Sequence, residues 1–115
     1  MAFEEFQRKR THSGEPAVSI SSYGNFILNS ATIAKFFQGK KYVKVYWDAE
    51  QRKIGIKPMK TQDLYSYRLN LSPKGGVGSF SGTAFFKTYG IPYNKTRSIE
   101  ATWNEKEGLL ELKVD

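Results

Sequence analysis

Two stretches of this chain, 56 positions apart, follow one order of residues. "KVYWDAEQRKIGIKP" at 44–58 and "EATWNEKEGLLELKV" at 100–114 each read as an alternating strand with a tryptophan, an acidic turn and a second apolar strand. In the first, Val43, Val45 and Trp47 alternate with Tyr42, Lys44 and Tyr46, which is the period of a half-buried strand. After the polar turn 48–52, Ile54 and Ile56 resume the apolar face, and Pro58 is expected to end the ladder because it has no N–H to donate. The second stretch repeats this with Ile99, Ala101 and Trp103, the turn "NEKEG", and then Leu110, Leu112 and Val114. Gly108 suits the left-handed position that closes such a turn. Arg52 stands in the matching place, which leaves room for a different turn type there.

The repeat extends upstream. "NSATIAKFFQG" and "SGTAFFKTYG" both read as short helices with a polar cap in front and a glycine, Gly39 or Gly90, suited to the position just past the end. Ile33 and Phe37 share one face, as do Phe85 and Tyr89. An offset of 52 matches Gly24 to Gly76, Leu28 to Phe80, Ile33 to Phe85 and Phe37 to Tyr89, and four extra residues within "IPYNKTRS" carry it to 56. Before each helix stand two strand-like segments, "AVSIS" and "NFIL", then "SYRLNL" and "VGSF". Each half therefore reads strand, strand, helix, strand, strand. The alternative is chance resemblance among hairpins.

A chain of 115 residues is near the usual size of one domain, so the two halves are expected to share one core. The expected fold class is mainly β with two short helices. Its parts are an N-terminal arm or short helix at 1–16, a first repeat at 17–58, a linker at 59–66 and a second repeat at 67–115. The chain has no cysteine and one histidine, His12, which rules out thiolate sites and a cluster of imidazole ligands. No metal or other cofactor is expected. Charges interrupt "MAFEEFQRKR", so no export signal or membrane span is read, and the expected location is cytoplasmic. Asp48, Glu50, Glu105 and Glu107 fall in turns, and no nucleophile, base and orienting group can be composed. The chain is not expected to be an enzyme.

The formal charge is +7, and most of it lies early: residues 1–60 hold 11 Lys or Arg against 5 Asp or Glu, residues 61–115 hold 7 against 6. Such an excess favours a polyanionic partner through release of condensed counterions. Ordinary solubility charge is the plainer reading. The outward face of the first hairpin offers Tyr42, Lys44 and Tyr46, with Lys53 and Lys57 on the returning strand and Lys40 and Lys41 leading in. Cations interleaved with aromatics can neutralise phosphates while rings stack on bases, or the tyrosines can simply pair across a solvated sheet. Arg8, Lys9 and Arg10 form either a basic arm or the basic end of a helix. Lys35, Arg68 and Lys74 complete the candidate nucleic-acid-binding set. "SPKGGVGSF" lacks the lysine frame of a P-loop and reads as a hairpin turn.

The first half, "VSISSYGNFILNSATIAKFFQGKKYVKVYWDAEQRKIGIKP" at 18–58, resembles the SpoVT/AbrB family of swapped-hairpin proteins in the order of strand, glycine turn, strand, helical turns and acidic hairpin. The second half, roughly 67–114, is similar in order. The resemblance implies a fused pseudo-dimer, in which hairpins from two halves build one barrel, and a DNA-binding scaffold of the transcription-regulator kind. The family's usual contact positions depart here: Asn25 follows the turn glycine where a basic residue is usual, Asn29 stands where proline is common, and the helical basic pair is Ala34 and Lys35. The expected function is a non-enzymatic DNA-binding protein, either a transcription regulator or a small architectural protein, with homodimerisation open. Single-stranded DNA or RNA binding and an antitoxin-like interaction module are the alternatives.

Overall fold

Residues that alternate in polarity with a period of two become strands here, and the two segments with helical spacing become helices of seven residues each. The computed structural model describes residues 15–72 and 76–114, so the arm with Arg8, Lys9 and Arg10, and also Lys74, lie outside the described residues. The order is β1 (Ala17–Ile20), β2 (Asn25–Leu28), α1 (Ser30–Phe36), β3 (Tyr42–Asp48), β4 (Lys53–Met59), β5 (Tyr67–Arg68), β6 (Asn70–Leu71), β7 (Gly78–Ser81), α2 (Thr83–Tyr89), β8 (Arg97–Asn104) and β9 (Leu109–Lys113).

All pairings are antiparallel, and the strands line up as β5-β3-β4-β9-β8-β1-β2-β7-β6. The two ends of this order, β5 and β6, are separated in the chain only by Leu69. Residues 67–71 therefore draw the edges of the sheet together, and it nearly closes into a barrel. Closure removes most of the unpaired edge that an open sheet would leave. Leu69 is buried at the seam, and its N–H donates to the Lys41 carbonyl at 2.9 Å.

Inward residues from both halves form one core: Val18, Ile20, Phe26, Leu28, Val43, Ile54 and Ile56 meet Phe80, Phe86, Leu110, Leu112 and Val114. Phe26 lies at its centre, fully buried, stacked on Phe80 at 4.7 Å between centroids and tilted against Phe86 at 4.8 Å. The two tryptophans pack across the halves. Trp47 meets Phe85 and Tyr89 of α2, while Trp103 stacks on Phe36 of α1 at 4.7 Å with 6° between planes.

Local chemistry fixes the ends of the helices. Asn29 caps α1, accepting the Thr32 N–H at 2.9 Å, and the buried Thr32 hydroxyl donates to the Ala17 carbonyl at 3.1 Å, which ties the helix to β1. α2 has Gly82 at its N-cap with no side-chain bond, and Gly90 ends it in the left-handed conformation.

The two hairpin turns share one construction. Asp48 accepts the Gln51 N–H at 3.1 Å and Asn104 accepts the Glu107 N–H at 3.0 Å, each 56 positions apart. Arg52 takes φ 52°, beside φ 67° at Gly108, so the first turn keeps the glycine conformation without the glycine. Three details depart from the sequence pattern. β4 continues through Pro58 to Met59, whose carbonyl accepts the Lys41 N–H at 3.1 Å. "SYRLNL" splits at Leu69 into β5 and β6, because it serves two neighbouring strands in turn. Tyr89, expected inward beside Phe85, is 47% exposed, since one face of its ring rests on Trp47 and the rest meets solvent.

Candidate nucleic-acid interface

Alternation along β3 and β4 sends Val43 and Ile56 inward and leaves Tyr42, Lys44, Tyr46, Lys53 and Lys57 on the outer face. Register then decides which of them are neighbours. Tyr42 lies opposite Met59 on one side and Arg68 on the other, Lys44 opposite Lys57, Tyr46 opposite Gly55, and Lys53 opposite Lys113. Strand closure thus brings Arg68 of the second half beside Tyr42 of the first. The surface hollow at this seam, about 480 Å³, is lined by Lys41, Tyr42, Arg68, Leu69, Asn70 and Leu71. Lys41, Lys57 and Arg68 are exposed, and Lys40 stands just before the strand. Lys35 occupies the last turn of α1.

Two pairs of lysines directly opposed across an antiparallel ladder, Lys44 with Lys57 and Lys53 with Lys113, repel each other. Acids from elsewhere relieve one member of each pair. Asp63 in the 60–66 loop accepts from Lys44 at 2.7 Å, and Glu111 on β9 accepts from Lys53 at 3.3 Å. The hydrogen bond to Asp63 raises the Lys44 pKa above its ordinary value, with smaller contributions from Tyr46 and Tyr65. The Asp63 carboxyl is held below the usual carboxylate range first by Lys44 and next by the backbone N–H of Tyr65. Glu111 is lowered chiefly by the Asn104 amide, 2.7 Å away, and then by Lys53.

Of the candidate cations, Lys44 and Lys53 are thus engaged with acids on the protein. Lys41, Lys57 and Arg68 have no ion pair among the described residues. Beyond the Lys53–Glu111 pair, the face turns acidic: a second hollow of about 330 Å³ gathers Asp48, Glu107 and Glu111 around Lys53. The basic area is therefore a strip along β5, β3 and β4, bounded on the β9 side.

The sequence reading passed over the loop at 60–66. Asp63 reaches Lys44, and it also accepts the Tyr65 N–H at 2.9 Å, which presents Leu64 and Tyr65 at 85% and 74% exposure beside the strip. Two large apolar residues directly after an acid in a polar linker were the available signal. Among the described residues no three carboxylate or imidazole groups gather to hold a metal ion, and no helix is long and apolar enough to cross a membrane. A scan against protein-family models matches none, and searches of curated proteins and of solved structures likewise match none.

Proposed function

We propose that this chain is a non-enzymatic DNA-binding protein, a transcription regulator or small architectural protein, built as an AbrB-like barrel of two interlocked repeats. The strand pairings support the interlocking reading. Exchanging β1 with β5 and β6, β2 with β7, β3 with β8 and β4 with β9 returns the same set of neighbours. The registers agree with the sequence offsets: at 52 the β2–β7 ladder maps onto itself about Ile27 and Ser79, and at 56 the β4–β9 ladder does so about Gly55 and Glu111. β1 pairs along both edges with the same residues, whereas its counterpart does so in two steps on either side of Leu69. Each tryptophan rests on the helix of the other half.

The observation that carries the functional reading is the strip on which Lys57 faces Lys44 across β3–β4, with Lys41 and Arg68 at its end and no ion pair to either among the described residues. Like charges set opposite one another weaken a sheet. Phosphates bridging them turn that repulsion into counterion release, with a log–log salt slope of about 0.9 for each phosphate neutralised on duplex. The test is fluorescence anisotropy on a random-sequence duplex at several salt concentrations. Lys41→Ala with Arg68→Ala should lower the slope by roughly 2, whereas Lys44→Ala, whose charge Asp63 already meets, should lower it by well under 1. Equal slopes for wild type and the double variant would remove the named residues, and no binding at low salt would leave the interaction-module alternative.

A further inference from the structure

The face has a second chemistry besides charge. Among the described residues Tyr67, Tyr89 and Tyr93 each pack on another aromatic ring, whereas Tyr23, Tyr42, Tyr46 and Tyr65 stack on none, and the last three belong to β3 or the loop tied to it. Tyr46 is 42% exposed and Tyr65 74% exposed. Tyr42, Lys44 and Tyr46 follow one another on one side of β3, about 6.6 Å apart. The Asp63 carboxylate, 2.7 Å from the same lysine, also accepts the Tyr65 N–H at 2.9 Å, which sets Tyr65 beside it. Aromatic rings alternating with ammonium groups along a line match an extended single strand, whose phosphates and unstacked bases also alternate along a line. A duplex hides its base faces, so there such rings reach only sugar and phosphate.

We propose that the strip along β3 is a track for single-stranded nucleic acid, on which Tyr46 and Tyr65 stack bases while Lys57, Lys41 and Arg68 take the phosphates. This rests on the polyanion-binding reading above and adds a strand preference to it. The acidic hollow around Glu111 begins at Tyr46, which lines it, so the strand runs lengthwise from the Arg68 seam and ends at Tyr46 instead of crossing the sheet. Lys44, two residues before Tyr46 on β3, holds its bond to Asp63 at 2.7 Å, and an arriving phosphate competes for it.

The experiment uses the full chain with a fluorescein-labelled oligo(dT) 12-mer, an abasic strand of equal length and a random duplex, at one salt concentration and then across several. Oligo(dT) should bind at least about tenfold more tightly than the abasic strand, the scale of one stacked base. Tyr46→Ala with Tyr65→Ala should abolish that advantage and leave abasic binding and its salt slope unchanged. Tyr46→Phe with Tyr65→Phe, which keeps the rings, should retain the advantage. If oligo(dT) and abasic strand bind alike, or the duplex outcompetes oligo(dT), the track is refuted while the phosphate reading stands. If no strand binds at low salt, both fall together.

Discussion

Gly82 is the point at which the two halves are most tightly fitted, and Gly82→Ala is the sharpest test of that fit. Its backbone, at φ −118° and ψ 7°, accepts alanine without strain, and exchanging glycine for alanine at a helix N-cap alone costs about 0.5–1 kcal/mol. The steric situation is different. A Cβ there would lie 2.5 and 2.7 Å from two ring carbons of Phe26 and 2.9 Å from one of Phe86. Phe26 comes from the first half, is fully buried, and has Phe80 and Phe86 against it, so the ring has no empty space into which to turn. Overpacking of a filled core costs typically about 1–3 kcal/mol, and two rigid rings place this site at the upper end, near 3 kcal/mol. For a chain of this size that is a fall in Tm of roughly 10–15 °C. Urea titration should show a lower midpoint with an unchanged slope, as expected when stability changes and the surface exposed on unfolding does not. A double-mutant cycle with Phe26→Leu identifies the clash: leucine removes the offending ring edge, so the double variant should be more stable than the sum of the singles by about 1 kcal/mol or more. Gly82→Ala within about 0.5 kcal/mol of wild type, or strict additivity with Phe26→Leu, would refute the fit of the first half's core against the second half's helix.

Three further outcomes follow from the same geometry. Lys57→Thr removes the cation facing Lys44 across β3–β4 and should raise stability by about 0.2–1 kcal/mol at low salt, a gain that fades as added salt screens the wild-type repulsion; a loss of stability in low-salt urea titration would contradict it. Gly108→Ala should cost about 1 kcal/mol by thermal unfolding, entirely from the backbone at φ 67°, because nothing lies within 4 Å of the added carbon. Glu111→Gln tests the Lys53–Glu111–Asn104 group. The folded carboxyl holds its proton less tightly than the unfolded one, so its contribution is full above the unfolded pKa of about 4.3 and is lost as pH falls through the lowered folded value. The variant should therefore lose up to about 1 kcal/mol near neutral pH and converge on wild type in acid, and a deficit that persists unchanged in acid would exclude the ion pair as its cause.

The inward pattern of the strands was legible because the interior imposes it. Leu28 and Phe80, Ile54 and Leu110, Ile56 and Leu112 stand at matched positions in one core, and an inward face tolerates little besides apolar bulk. The offsets of 52 and 56 read from the residues reappear in the registers about Ile27 and Gly55. What the sequence concealed depends on which strands become neighbours. No local pattern tells that Arg68 lands beside Tyr42, since that contact exists only once residues 67–71 bridge the two ends of the sheet. Asp63 looked like a linker residue until the loop folded back and set its carboxylate 2.7 Å from Lys44. Arg52 was misleading for another reason: the Asp48 turn holds a positive φ firmly enough to bear a side chain, and the guanidinium, 5.5 Å from the Trp47 ring, recovers part of the cost.

The outer faces depart from one another where the interiors agree. At the offset of 56, Tyr42 answers to Ser98, Lys44 to Glu100, Tyr46 to Thr102 and Lys53 to Leu109. The strands that carry them have matched ladders, so backbone geometry cannot be what distinguishes the two sides. If the rings and lysines served only to cover a solvated sheet, the second hairpin would need the same cover and would be free to use it. It carries Ser98, Glu100, Thr102 and Leu109 at those four positions instead, keeping a cation where Lys57 answers to Lys113 and Lys41 to Arg97. A polyanion meeting such a barrel finds attraction on one hairpin and repulsion from Glu100 and Glu111 on the other, which orients it to a single flank. One chain should therefore occupy one site in a fixed direction, with no palindromic target. Titration to a stoichiometry of one strand per chain is the result this asymmetry requires, and two equivalent sites per chain would contradict it.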